Sequence, residues 1–109
     1  MKNYEDMSDF EINKAVALIV GVTFNADGEP VRFVECDTGA YADFNEIEFD
    51  PCNNPEDAWP IITNNFISVI PSTNRDIWFA DGQGGETTFD TNPLRAAMIV
   101  FLEMNEDKL

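Results

Sequence analysis

The stretch Asn92-Pro93-Leu94-Arg95-Ala96-Ala97-Met98-Ile99-Val100-Phe101-Leu102 decides the fold. Asn92 has the side chain of a helix cap, and Pro93 fits the first helical turn, where its missing N–H costs nothing. Leu94, Ala97, Met98, Phe101 and Leu102 recur at helical spacing, and Ile99 and Val100 widen the stripe. A helix apolar on most sides must be packed, and a sheet is the surface broad enough to cover it. Strand patterns lie upstream. Residues 86–90 and 76–80 flank the turn Asp81-Gly82-Gln83-Gly84-Gly85, and residues 66–70 form a β-branched run ended by Pro71.

Farther upstream, Asn54 and Pro55 open a second helix, with Glu56 and Asp57 in its favoured first turn. Pro60 either kinks that helix or starts another. Residues 46–50 alternate strictly and predict a strand with Ile47 and Phe49 inward and Glu46, Glu48 and Asp50 outward. Residues 37–45 lack periodicity and read as a loop. Asp27-Gly28 joins residues 22–24 to the strand after Pro30. Ser8 and Glu11 form a capping box for a helix over Asp9–Val20, with Gly21 as its stop. The order α, ββ, β, α, βββ, α predicts one α+β domain over residues 1–109. It has a mostly antiparallel sheet of four to five strands, with the N- and C-terminal helices packed on it. Residues 1–7 and 105–109 are expected to fray.

Composition excludes several chemistries. The chain has 109 residues, 44% apolar, so it supports one core and is not a disordered acidic tail. It contains no run of 18 apolar residues and no secretory signal pattern, so a cytoplasmic protein is expected. Histidine is absent, which removes imidazole-based catalysis and His-containing zinc sites. The two cysteines, Cys36 and Cys52, have no Cys-x-x-Cys spacing and read as reduced thiols. Gly82, Gly84 and Gly85 lack the following Lys-Ser/Thr of a phosphate loop, and residues 81–90 lack calcium-loop spacing. No catalytic residue, metal ligand or cofactor is expected. Carboxylates acting as a general acid–base pair are the weaker enzyme reading, for want of a cleft. Trp59 and Trp78 are candidate interface anchors, but each lies among apolar neighbours, which favours the core. Arg95 opposes the helix dipole and is expected to pair with Asp90.

Three segments resemble the NinX family of small proteins from lambda-like bacteriophages. They are SDFEINKAVA (residues 8–17), FDPCNNPEDAWPII (residues 49–62) with ISVI just after it, and NPLRAAMIVFL (residues 92–102). The resemblance implies a phage or prophage product acting in an infected bacterial cytoplasm. It carries over no activity and no catalytic set.

Charge is the main functional signal. Twenty-one acidic and six basic side chains give a formal net charge of −15. Such a field repels nucleic acid and anionic lipid, so neither is an expected partner. Between Arg32 and Arg75 lie eight carboxylates and no basic residue. On a strand, Glu46, Glu48 and Asp50 would project to one side at roughly 6.6 Å intervals. The candidate partner-binding residues are Asp43, Glu46, Glu48, Asp50, Glu56 and Asp57. Their expected partner is a host protein with a basic, nucleic-acid-binding surface, such as a nuclease or an immune effector including a CRISPR complex. The expected function is a non-enzymatic, DNA-mimicking inhibitor in anti-defence. The alternative is a phage accessory protein acting through an apolar patch or homodimer, with acidity serving only solubility.

Overall fold

The computed structural model describes residues 3–37 and 42–108, with residues 34–37 and 42–44 described by backbone alone. The elements are α1 (Asp9–Val20), β1 (Thr23–Phe24), β2 (Pro30–Asp37), β3 (Ala42–Glu48), α2 (Pro55–Asn64), β4 (Ser68–Pro71), β5 (Trp78–Asp81), β6 (Thr87–Asp90) and α3 (Pro93–Met104). The α+β class holds. The single sheet does not: the strands form two separate three-stranded antiparallel sheets, β1-β2-β3 and β4-β5-β6. Each strand pairs with its neighbour in sequence, and α2 stands between the two sets.

Helix α1 begins as its residues dictate. Ser8 Oγ accepts from the Glu11 amide at 3.1 Å, and Glu11 Oε1 accepts from the Ser8 amide at 3.2 Å. Gly21 ends it in the left-handed region at φ +83, donating to Ala17 O. Helix α2 runs unbroken through Pro60. Pro60 and Glu56 are both exposed, so the backbone bond that proline cannot make is missing on the outer side of the helix, where solvent can reach.

The core surrounds α3. Ala96 to Leu102 are all buried, and they meet Ile12 and Val16 of α1, Ala58, Ile61 and Ile62 of α2, and Ala80 of β5. Burying one such Leu or Ile contributes about 1.5–3 kcal/mol. The second sheet lays one face on α3. The row Val69–Ala80–Thr88 points inward, and Thr88 Oγ1 donates to Glu103 Oε1 at 2.8 Å.

Other expectations are revised. The loop expected over 37–45 is largely strand: β2 reaches Asp37, β3 starts at Ala42, and the residues between lie outside the described ones. Residues 66–70 become Ser68–Pro71, because Phe66 and Ile67 close helix α2 instead. Near the N-terminus, Tyr4–Asp6 forms a 3-10 turn with Tyr4 buried in the core, so that part of the lead-in is packed. Glu106–Lys108 forms another such turn. In the first sheet Val31 is buried, but Phe33, two residues on, is 54% exposed. The β2–β3 hairpin therefore leaves the body along its length, in a molecule 53 Å long and 23 Å in its shortest dimension.

Candidate functional site

The six candidate carboxylates divide into three environments. Glu46 and Glu48 project from β3 and are exposed, Glu46 opposite Phe33 and Glu48 opposite Val31. Asp43 is paired by backbone with Cys36, and its side chain lies outside the described residues. Asp50 is not on a strand, which ends at Glu48. Its carboxylate accepts from Asn13 Nδ2 at 2.6 Å and from Asn53 Nδ2 at 3.1 Å. The expected outward row of three is thus a pair.

Glu56 and Asp57 are not without counter-charge. Arg32 turns from β2 toward the first turn of α2, placing Nη2 3.3 Å from Glu56 Oε2 and Nε 2.8 Å from Asp57 Oδ1. The Asp57 side chain is only 2% exposed and also accepts from the Asp50 amide at 2.9 Å. Sequence distance concealed the pairing: Arg32 stands 25 residues before Asp57 and reaches it only through the fold.

Asp50, Cys52 and Asn53 form a polar junction among three helices. Asn13, buried on α1, accepts from the Cys52 amide at 3.1 Å. Asn92, which caps α3, donates to Cys52 O at 2.6 Å. Arg95 completes the tie, with Nη1 2.6 Å from Asp9 Oδ1, Nε 3.1 Å from Asp90 Oδ2, and Nη2 2.7 Å from Met7 O. Its pairing with Asp90 was expected; the bonds to Asp9 and the lead-in were not. The Cys52 thiol is pushed up to about 12, by burial first and by Asp9 next. It stays protonated at neutral pH and packs as a small buried side chain.

A cleft of about 500 Å³ opens beside Tyr4, lined by Glu5, Glu86, Glu103 and Glu106. Burial and then Glu106 raise the Tyr4 phenol above its ordinary value. No cluster of three or more potential ligands suited to a metal ion occurs among the described residues. Among them the ion pairs are those of Arg32 and Arg95, so most of the carboxylates whose side chains are described carry no ion pair. No described helix is long and apolar enough to cross a membrane.

Aromatic exposure is the feature the sequence did not convey. Trp59, expected in the core, is 62% exposed, because α2 turns Ala58, Ile61 and Ile62 inward instead. Trp78 is half-buried. On the second sheet, register aligns Ile70, Phe79 and Phe89 across the face opposite α3. Phe79 and Phe89 meet edge to face with ring centres 4.6 Å apart, and Phe89 remains 54% exposed. Alternation marks such a row, but only the register shows which side it takes.

No curated protein and no solved structure matches the chain. The family model described as "Bacteriophage P22, NinX" matches residues 3–105. That span includes the three-helix junction built by the FDPCNNPEDAWPII string, the N-terminal cap of α1 and the buried helix α3. The chain belongs to the NinX family of bacteriophage proteins.

Proposed function

We propose that this phage accessory protein acts by binding a basic protein of the host rather than by catalysis. The observation that carries the reading is the excess of unneutralised carboxylate: a net charge of −15, with the described ion pairs confined to two arginines. A partner whose cationic groove ordinarily holds nucleic acid is the chemistry that field fits, a nuclease or an immune effector such as a CRISPR complex. Inhibition is then steric and electrostatic. The field raises the encounter rate and makes it fall with salt. Glu46 and Glu48, exposed on the projecting hairpin, are the carboxylates best placed for first contact, with Asp43 on the same strand. Asp50 and Asp57 serve the fold, and Glu56 belongs to the pair with Arg32.

A second reading is contact through an apolar patch or a homodimer, with acidity serving solubility. The exposed Ile70, Phe89 and Phe66 favour it. The test is affinity capture from infected host lysate while salt rises from about 50 to about 500 mM, a change that shortens the screening length several-fold. The electrostatic reading expects capture of a basic protein to be lost at high salt. It also expects capture to weaken in Glu46→Gln/Glu48→Gln, which retains its melting temperature. Salt-insensitive capture unaffected by that pair overturns it.

A further inference from the structure

One residue is in the wrong place for stability. Helix α2 ends in a Schellman arrangement: Ile67 N donates to Ile62 O at 3.0 Å, and Phe66 N approaches Thr63 O at 3.4 Å. Ile67 and Ile62 are both buried, giving the apolar contact that accompanies this ending. Its hinge position requires the left-handed backbone, where glycine or asparagine is ordinarily found. Here it is Phe66, at φ +52. A bulky residue in that region is strained. The ring gains little in return from the fold, since Phe66 is 73% exposed. Its carbonyl is fixed by Gln83 Nε2 at 2.8 Å, from the β5–β6 turn, so the strained residue is anchored to the second sheet.

That same sheet carries the outward row Ile70–Phe79–Phe89. Between this row and Phe66 lies the row Ser68–Asp81–Thr87, with Asp81 accepting from Thr87 Oγ1 at 2.8 Å. Exposed apolar rows with polar borders mark interaction surfaces, and backbone strain held by its surroundings clusters at functional positions.

We infer that Phe66 and the Ile70–Phe79–Phe89 row form the docking face for a partner protein that presents apolar side chains interspersed with arginine or lysine. Charge complementarity selects this occupant. A second copy would bring another −15 to the face, whereas a cationic partner relieves the local excess of Asp81, on this face beside the row, and exposed Asp76 over Arg75. The inference takes the sign of the partner's charge from the function proposed above, and adds the place where it seats.

The test titrates the isotopically labelled full-length protein with a synthetic peptide of alternating arginine and leucine, followed by amide chemical shifts. Peptides of alternating glutamate and leucine, and of arginine alone, serve as controls. Shifts are expected at Phe66, Ile70, Phe79 and Phe89, with both controls weaker by about tenfold or more. Phe66→Gly is the decisive variant. It relieves the left-handed strain, so its melting temperature should rise by about 2–5 °C while peptide affinity falls about tenfold. A residue kept only for the fold would not separate those two readouts. Phe89→Ser should weaken the peptide similarly. Shifts confined to other surfaces, equal binding of the glutamate–leucine peptide, undiminished affinity in Phe66→Gly, or concentration-dependent broadening of the face without peptide would each overturn the inference. Salt-sensitive capture of a basic host protein that survives Phe66→Gly and Phe89→Ser would leave the proposed function standing and remove this face from it.

Discussion

Replacing Arg95 by methionine tests whether the polar junction holds the helices together. The guanidinium, 13% exposed, serves three directions at once: Asp9 on α1, Asp90 at the end of β6, and the carbonyls of Glu5 and Met7 in the lead-in. Methionine conserves most of the stem's packing and removes every one of these bonds. Breaking a buried ion pair costs about 3–5 kcal/mol, because the remaining carboxylate is left unpaired in a poor dielectric. The Asp9 side chain is 43% exposed and water can compensate it in part, whereas Asp90 is 19% exposed and is compensated less. A loss of about 3 kcal/mol follows, which for a domain of this size lowers the melting temperature by about 10–15 °C. Arg95→Lys keeps the charge but has one compact ammonium in place of a planar fork, so it should recover only about half of the loss. Urea and thermal unfolding followed by circular dichroism measure both. A methionine variant within about 1 kcal/mol of the parent would refute the argument. A lysine variant equal to the parent would show that charge alone matters.

Three further outcomes follow from the same geometry. Asp57→Asn should cost about 2–4 kcal/mol in urea unfolding, since it uncouples buried Asp57 from Arg32, whereas Glu56→Gln, 80% exposed, should cost under about 0.5. Ser8→Ala should lose about 1 kcal/mol by removing one half of the capping box, read as a lower urea midpoint with unchanged slope. The Cys52 thiol is raised in the folded state from 9.0 to about 12, so folding favours its protonated form. That stability is present below the unfolded value and is lost as pH rises above it, by about 1.4 kcal/mol per unit until the folded value is reached. Unfolding measured at pH 9 and again about 1.5 units higher should show a loss about 2 kcal/mol greater in the parent than in Cys52→Ala.

Local signals were legible in the sequence, and non-local ones were not. The capping box, the Asn-Pro openings of α2 and α3, and the alternation around Ile47 each depend on residues within four positions, where steric and hydrogen-bonding rules act directly. Nothing local distinguishes one sheet of several strands from two sheets of three, because that choice is made by tertiary packing: α3 lies on β4, β5 and β6, whereas β2 meets α1. The surroundings of Asp50 and Asp57 were illegible for the same reason. Both read as exposed charge, yet each completes bonds to groups far away in sequence, Asn13 for one and Arg32 for the other. The string shared with the family resemblance is therefore largely architecture: its asparagines and aspartates close the three-helix junction.

If the protein binds a cationic partner as proposed, magnitudes decide how the two surfaces would divide the work. An exposed ion pair contributes about 0–1 kcal/mol, so Glu46 and Glu48 together supply at most about 2. A micromolar complex requires about 8 kcal/mol after the cost of association is met. Carboxylates on the hairpin can draw a cationic partner in and orient it, but they cannot retain it. Retention needs desolvated apolar area, at about 1.5–3 kcal/mol for each large side chain fully buried. Phe89 and Ile70 expose such area on the second sheet and Phe66 exposes more at the end of α2, and these are the anchors available there. On the proposed function, charge is expected to govern the association rate and its salt dependence, and the aromatic face to govern dissociation. Rapid-mixing kinetics separate the two. Glu46→Gln/Glu48→Gln should slow association with little change in dissociation, and Phe66→Gly should speed dissociation with little change in association. The opposite assignment would show that carboxylates make the lasting contact and that the exposed rings are incidental.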